Sequence, residues 1–403
     1  MKALTVKMET YLELLKKKAL EPSFMPKIHE VLNLEEIPEV NLIDDNWVKI
    51  KVNIGGICGS DLSFLSFKMS TILSNFTSLP AVIGHEMVGT VIEIGANVNN
   101  VSVGDNVIID ENLGCKMRDI EPCPSCSDGN HSLCSNMDKG NVSPGMIIGF
   151  CKDTGGAWGE HLVAHKSQLF KIPDNVSLEE ALIAEPLACA IHGVLKKLPE
   201  DDDNCVVVGC GTIGLVTILA LKALSKCNVI AVAKYPFQSE MAKQLGADEV
   251  YLIKKDLHLK KIARKLGSRL LSPPMEISYP VGGGADIVFD SVGNATSLTD
   301  SLRLVKSKGT VVLIGYPSYI ETNWAPIIAK EITLMGSNIF GHDTLNGERK
   351  PTMKIALDLI SSGKANVKDF ITHKFKIEDY KDALDTAIDK GGKNIIKAAF
   401  IFD

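Results

Sequence analysis

The chain has no uninterrupted apolar run that approaches the ~18 residues of a membrane-spanning helix. A helical membrane protein is therefore excluded as an expectation. It has no surplus of positive charge either: 43 Lys and Arg stand against 49 Asp and Glu, for a net charge of −6. That balance argues against a nucleic-acid partner, whose phosphates need a basic footprint. The opening Met1-Lys2-Ala3-Leu4-Thr5-Val6 reads as a strand and lacks the long apolar core of a signal peptide. Internal repeats and low-complexity stretches are also absent. What remains is a 403-residue chain, 45% hydrophobic and 23% charged. That is the composition of an ordinary water-soluble globular protein, and its length is enough for two domains.

What is present begins with Gly55-Gly56-Ile57-Cys58-Gly59-Ser60-Asp61, followed further on by Gly84-His85-Glu86. These motifs offer a thiolate, an imidazole and a carboxylate to one metal. Glu185, in Ala184-Glu185-Pro186-Leu187, is a further candidate ligand. Cys, His and Glu around zinc, without a fourth strong protein ligand, make an open site, and an open site can polarise a substrate oxygen. Glu86 either stays beside the metal or enters and leaves its shell. The plainer reading of Glu185 is a salt-bridged carboxylate at a domain junction.

A second cluster follows. Cys115, Cys123, Cys126 and Cys134 are spaced C-x7-C-x2-C-x7-C. The central knuckle lets two sulfurs share a metal, and the flanking cysteines close a tetrahedron of thiolates. Four sulfurs leave no position for substrate, so this site is read as structural zinc. Its surroundings, Pro122, Pro124 and Asp128-Gly129-Asn130, form loops that a small apolar core cannot hold, so metal binding is expected to order them. Of ten cysteines, four cluster at metal-ligand spacing, one sits in the opening motif and another lies inside a Gly-rich loop, a pattern that fits a reducing cytoplasm.

The third signal is nucleotide binding. Val206-Val207-Val208 reads as a buried strand, Gly209-Cys210-Gly211-Thr212-Ile213-Gly214 follows, and Leu215 to Leu224 reads as an apolar helix. G-x-G-x-x-G between a strand and a helix is the dinucleotide fingerprint. The first Gly permits the turn, the second admits the pyrophosphate, and the third packs the helix on the strand. The phosphates are expected at the helix N-terminus, around Thr212 and Ile213. An NAD site usually carries an acid about 20 residues past the glycines. Here Ala233 occupies that place and Lys234 follows it. The missing acid and the cation predict NADP(H) over NAD(H).

Strands expected at 228–233, 249–253, 285–290, 310–314 and 332–336, separated by helices, complete a doubly wound parallel sheet. The stretch 265–281, with Pro273-Pro274 and Pro280, is longer than such a connection needs and reads as an excursion. The earlier part is β-rich, with runs at 47–52, 87–94, 106–110 and 159–164. The expected organisation is a catalytic domain over 1–189, a nucleotide-binding domain over 190–336, and a segment over 337–403 that returns to the first. Its helices are expected at 353–361 and 380–389. Tyr11 to Leu20, with Lys16-Lys17-Lys18, is read as a solvated basic excursion. His192 is read as packing, and His161 and His165 are given no role. Phe150 and Trp158 are read as core at least as readily as pocket lining.

These residues together resemble the zinc-dependent medium-chain dehydrogenase/reductase superfamily. The resemblance covers nearly the whole chain and rests on six segments: residues 56–61, 84–86 and Val103-Gly104-Asp105-Asn106-Val107, the cysteine lobe, residues 184–187, and the 209–214 loop. It implies a GroES-like catalytic domain, a Rossmann domain and an active site in the cleft between them, in a homodimer or homotetramer. Glu185, standing where alcohol dehydrogenases have a cysteine ligand, makes the chain look more like the polyol, threonine and glucose dehydrogenases. Cys115 lies further from the knuckle than the family's usual spacing. Residues 8–27 are extra relative to a compact family start. Residues 64–79 are long and are expected to border the substrate.

The expected reaction moves a hydride between NADP(H) and a small alcohol, polyol or sugar. Ser60 is the first proton carrier, and Asp61 accepts from the second ring nitrogen of His85. One rival is an aldehyde or ketone reductase working in reverse. Another, of a different class, is a catalytically inactive nucleotide-binding sensor or structural subunit. The latter would have lost a ligand or relay residue, and none is missing.

Overall fold

The computed structural model describes residues 1–21, 23–24, 26–69, 75–271, 279–316 and 319–403. The chain divides into two compact units, 1–185 with 367–403 and 186–366.

The first unit is built on the strand Trp47–Ile57. Its first half alternates between buried and half-buried residues, as a strand with one face on a core should. Its last four residues are all buried. It pairs antiparallel with Met87–Ile94, Lys397–Ile401 and His161–His165. Asn106–Ile109 and Leu169–Lys171 extend the sheet on one side, and Ile371–Phe375 extends it on the other. A smaller sheet joins Leu32–Glu36, Lys2–Val6 and Ala81–Val82. The basic excursion is a helix, Met8–Leu20, none of whose residues is buried. Tyr11 on it stacks against Phe64, with centroids 5.2 Å apart.

His165, at the end of its strand, is buried. Its Nδ1 accepts from the Ser167 N–H at 3.2 Å, which fixes the neutral tautomer. Burial first, then the nearby Lys116, push its pKa down to about 4. The unfolded chain, with an ordinary His pKa near ~6.5, takes up a proton between those values that the folded chain refuses. Stability is therefore complete above pH ~6.5 and falls as the pH drops towards 4. Between pH 7 and 5 the expected loss from this residue is about 2 kcal/mol. His165→Gln should flatten the profile by that amount in urea unfolding at the two pH values; an unchanged profile would show that His165 does not set it.

The second unit is a six-stranded parallel sheet in the order Glu249–Leu252, Asn228–Ala233, Asn204–Val208, Ala285–Asp290, Val305–Leu313, Thr333–Gly336. Val206, Ile230, Val288 and Val311 bury its strands against Leu298 and Leu302 of the helix Ala295–Leu304. The strand order reverses between Asn204–Val208 and Ala285–Asp290, which is the topological switch point where such sheets bind ligands. The excursion contains an antiparallel pair, Ser268–Leu271 with Tyr279–Gly282, and Pro280 lies on its second strand. Pro273 and Pro274 lie outside the described residues.

The division differs from the sequence expectation at both joints. It falls after Glu185, inside the helix Ala184–Lys196, and the return begins at Val367 instead of at 337. The cause is a local network within the second unit. The hairpin His342–Leu345/Glu348–Pro351 leads into the helix Thr352–Ser361. Asp343 accepts from Thr352 Oγ1 at 2.6 Å and pairs with His192 Nδ1 at 2.8 Å. The helix expected to return with the last segment is thus held in the second unit, and His192, read from the sequence as packing, is instead paired with Asp343.

Candidate functional site

The end of Trp47–Ile57 cannot carry side chains. A Cβ on Gly55 would lie 2.1 Å from the Ala157 carbonyl oxygen, and one on Gly56 would lie 2.2 Å from Glu86 Oε2. Gly56 is thus the space that the Glu86 carboxylate fills. Cys58 then caps the short helix Gly59–Leu65. Asp61, fully buried, serves two partners: Oδ2 accepts the Cys58 backbone N–H at 3.0 Å, and Oδ1 pairs with His85 Nδ1 at 2.9 Å. With Nδ1 committed, Nε2 is the nitrogen left for a metal or a proton, and Ser60 Oγ lies 3.4 Å from it. Gly84, at φ +94°, takes a left-handed turn against the Trp158 ring, where a Cβ would sit 2.4 Å from Cδ1. Trp158 Nε1 donates to the Gly56 carbonyl at 2.9 Å, so one indole ties the two ligand-bearing motifs together. Trp158 is therefore a core residue, while Phe150 packs 6.1 Å from the His85 ring.

The ligand atoms of Cys58, His85 and Glu86 lie within 4.8 Å of one another. A thiolate, an imidazole and a carboxylate at that separation fit a zinc ion with room for one more oxygen. Burial works against charge on His85, but Asp61 and then the Cys58 sulfur outweigh it and hold its pKa well above the ordinary value. Metal binding here therefore displaces a proton.

Glu86 is also ion-paired with Lys397, and both are buried. Burial alone would lower the Lys397 pKa, but Glu86 and Cys58 raise it overall. Sequence reading missed Lys397. The available signal was one cation inside the apolar run Ile395-Ile396-Lys397-Ala398-Ala399-Phe400. Glu185 is buried and has Glu111 and Lys397 as electrostatic neighbours, but lies outside the group of three.

The sulfurs of Cys115, Cys123, Cys126 and Cys134 also come within 4.8 Å of one another, all four residues buried. The longer spacing of Cys115 is absorbed by a 3-10 turn, Cys115–Arg118, which brings it back to the knuckle. Backbone N–H groups point at the sulfurs: Cys115 to Cys126 at 3.4 Å, Cys123 to Cys115 at 3.3 Å, Asn136 to Cys134 at 3.3 Å. Burial pushes the Cys126 and Cys134 thiols up, Cys134 to about 11. For Cys123 burial is again the largest influence, but the N–H groups of Ser135 and Cys126 outweigh it and pull the thiol down to about 6. Four adjacent thiolates need a cation to coexist, and a tetrahedral zinc supplies it. Arg118, fully buried, donates to the carbonyls of Leu113, Lys139, Val142, Ser143 and Gly145 and so braces the lobe.

In the second unit the glycine loop joins Asn204–Val208 to the helix Thr212–Leu224. A Cβ on Gly214 would lie 1.7 Å from the Gly209 carbonyl oxygen, so helix and turn touch there. A Cβ on Gly211 would meet nothing within 4 Å. The loop is therefore open on the side where a pyrophosphate would approach, at the N–H groups of Thr212 and Ile213. Ala233 is buried at its strand end, and Lys234 is exposed with its ammonium 5.2 Å from the Tyr235 ring centre. Asp290, which sequence reading passed over, accepts the N–H groups of Val292 and Gly293 at 2.9 and 3.0 Å and holds Val292 beside Gly209.

Residues 44–174 match the family described as alcohol dehydrogenase GroES-like domain, and residues 212–362 match zinc-binding dehydrogenase. The L-idonate 5-dehydrogenase of Vitis vinifera is 30% identical over 357 residues, 88% of this chain and 87% of that one. The chain belongs to the zinc-dependent medium-chain dehydrogenase/reductase superfamily. A sorbitol dehydrogenase of Arabidopsis thaliana is 31% identical over 356 residues, 88% of each chain. Among solved structures, an Escherichia coli oxidoreductase/dehydrogenase of unknown specificity matches with a TM-score of 0.73. It is 26% identical and covers 92% of this chain and 95% of its own. The enzyme is thus a zinc-dependent oxidoreductase of the alcohol-dehydrogenase type with a nicotinamide cofactor. Its two units are the GroES-like domain and the Rossmann-like domain. Among the described residues, no helix is long and apolar enough to cross a membrane.

Proposed function

We propose that the enzyme oxidises a secondary hydroxyl of a polyol or sugar with NADP+, or reduces the matching carbonyl with NADPH. The observation that carries this reading is the meeting of Cys58, His85 and Glu86, from three sequence positions, beside the Ser60 hydroxyl. The similarity to idonate and sorbitol dehydrogenases supports the substrate class.

Cys58, His85 and Glu86, with Glu185 close by, would hold the catalytic zinc, and Cys115, Cys123, Cys126 and Cys134 the structural one. A zinc held by these residues would supply Lewis-acid chemistry, favouring the deprotonated form of a hydroxyl as it favours that of water, whose pKa it can lower from about 16 to about 7. NADP(H) supplies the hydride chemistry. The protein's own residues do the rest. Asp61 fixes the His85 tautomer and, through the Cys58 N–H, the cap of the helix that carries Ser60. Ser60 carries the hydroxyl proton away, since its Oγ can accept and donate at once. Lys397 is ion-paired with Glu86 and balances the charge of that carboxylate. In the second unit, Gly209, Gly211 and Gly214 shape the pyrophosphate turn, Thr212 and Ile213 bind it, and Ala233 with Lys234 admits the 2′-phosphate. Cysteines gathered in two metal-ligand groups favour a reducing compartment such as the cytoplasm.

Three measurements test this. Elemental analysis should give two zincs per chain; one zinc would remove the open site from the reading. In a screen of polyols and aldonates with either cofactor, activity should be higher with NADP+. Lys234→Ala should raise the KM for NADP+ by about tenfold or more and leave that for NAD+ unchanged, as the loss of one charge-assisted contact predicts. An equal KM change for both cofactors would reassign Lys234 to the surface.

A further inference from the structure

Glu111 follows the strand Asn106–Ile109 and precedes the cysteine lobe. It is fully buried, and neither carboxylate oxygen has a hydrogen-bond partner. Among the described residues it forms no ion pair. Its electrostatic neighbours are Glu185, Asp110 and the ligand His85. Its backbone is fixed by the Ile148 N–H, which donates to the Glu111 carbonyl at 2.9 Å.

The neighbouring groups are committed elsewhere. Asp110 accepts from the Asn112 backbone and side chain at 3.0 and 2.7 Å. Lys397 is taken by Glu86. Burial and the neighbouring Glu185 push the Glu111 pKa well above the ordinary value, so the group is costly to ionise; a buried carboxyl whose oxygens have no hydrogen-bond partner calls for one. A divalent cation at Cys58 and His85 is the partner whose chemistry fits.

We propose that Glu111 is a carboxylate ligand of the catalytic cation, joining Cys58, His85 and Glu86 beside Glu185. This rests on the reading of those three residues as the catalytic metal site. Glu111 lies outside the group whose ligand atoms are within 4.8 Å of one another. Joining it takes a rotation of its side chain, which three χ angles allow and which no existing hydrogen bond of that carboxylate opposes. Glu86 has to leave Lys397 before it can ligate fully; Glu111 has nothing to leave. The site then carries one carboxylate shared with a lysine and one reserved for metal.

The test is metal affinity, read apart from turnover. Wild type, Glu111→Gln and Glu111→Leu are stripped of metal, reloaded with zinc or cobalt, and titrated with a chelator. His85→Asn runs alongside as the control for the site itself. The expected result is a loss of affinity at the catalytic site on the order of 10–100-fold in both Glu111 variants. The cobalt ligand-field bands should shift, and the four-cysteine site should keep its metal. The metal-free variants should melt close to the metal-free wild type, because no hydrogen bond of that carboxyl is lost. Unchanged affinity and an unchanged cobalt spectrum would overturn the assignment and leave Glu111 a buried neutral acid. If His85→Asn also keeps both metals, the metal-site reading fails as a whole, an outcome distinct from failure of Glu111 alone.

Discussion

Cys58→Ser is expected to take one zinc per chain from the enzyme and to lower kcat/KM by about 10³-fold or more. Serine keeps the size but presents a neutral hydroxyl where a thiolate stood, and the site is left with one imidazole and carboxylates, without its strongest zinc ligand. Lewis-acid stabilisation is worth several kcal/mol, and each ~1.4 kcal/mol is tenfold in rate. The fold should survive. The Cys58 backbone N–H, which Asp61 accepts, is unaffected by the change, and Cys58 is only half-buried. The measurement is zinc by elemental analysis beside steady-state kinetics and a thermal melt. Loss of activity with both zincs retained would move the chemistry away from this metal site. Loss of both zincs would show that the lobe and the open site are not independent.

Arg118→Met is expected to have the largest effect on stability. The guanidinium serves five carbonyls from 113 to 145, all within the segment that carries the four cysteines. Methionine fills part of the volume but donates nothing. Each buried carbonyl left without a partner costs about 1–3 kcal/mol, and water entering the loosened lobe recovers part of that. A net loss on the order of 4 kcal/mol is expected, at the upper end for a single substitution. The melting temperature should fall, and the zinc of the four-cysteine site should become accessible to chelator while the open site keeps its own. Arg118→Lys, with three donors instead of five, should fall between the two. A melt like wild type would mean that the metal alone orders the lobe.

The parts of the enzyme legible in the sequence were those in which a local pattern carries its own physics. The glycine loop stood between an apolar strand and an apolar helix, and the sheet around it followed from alternation of the two periods. The strand 228–233 was delimited to the residue. The knuckle Cys123-x2-Cys126 pointed to its two outer partners because only metal could order so many loop residues. What was not legible depends on contacts between distant positions. Lys397 reaches Glu86 through a strand that returns from the far end of the chain, and nothing local to 397 names its partner. Arg118 looks like a surface arginine until the five carbonyls close around it. The return point at 367 was misplaced because a hydrogen-bond network at Asp343 and Thr352, not composition, decides where the second unit ends. Glu111 has no signature at all, since an unsatisfied buried carboxylate becomes visible only once its surroundings are known.

The Trp158 indole has an optical consequence. The chain has three tryptophans: Trp47 and Trp158 are fully buried in the first unit, and Trp324 is half exposed in the second. Trp158 touches Gly84 with its ring and Gly56 with its N–H, so the fluorophore contacts both ligand-bearing motifs. Its emission should be blue-shifted and should change when His85 exchanges its proton for a cation, while the redder emission of Trp324 stays constant. The enzyme thus carries its own ratiometric indicator of whether its catalytic metal is in place.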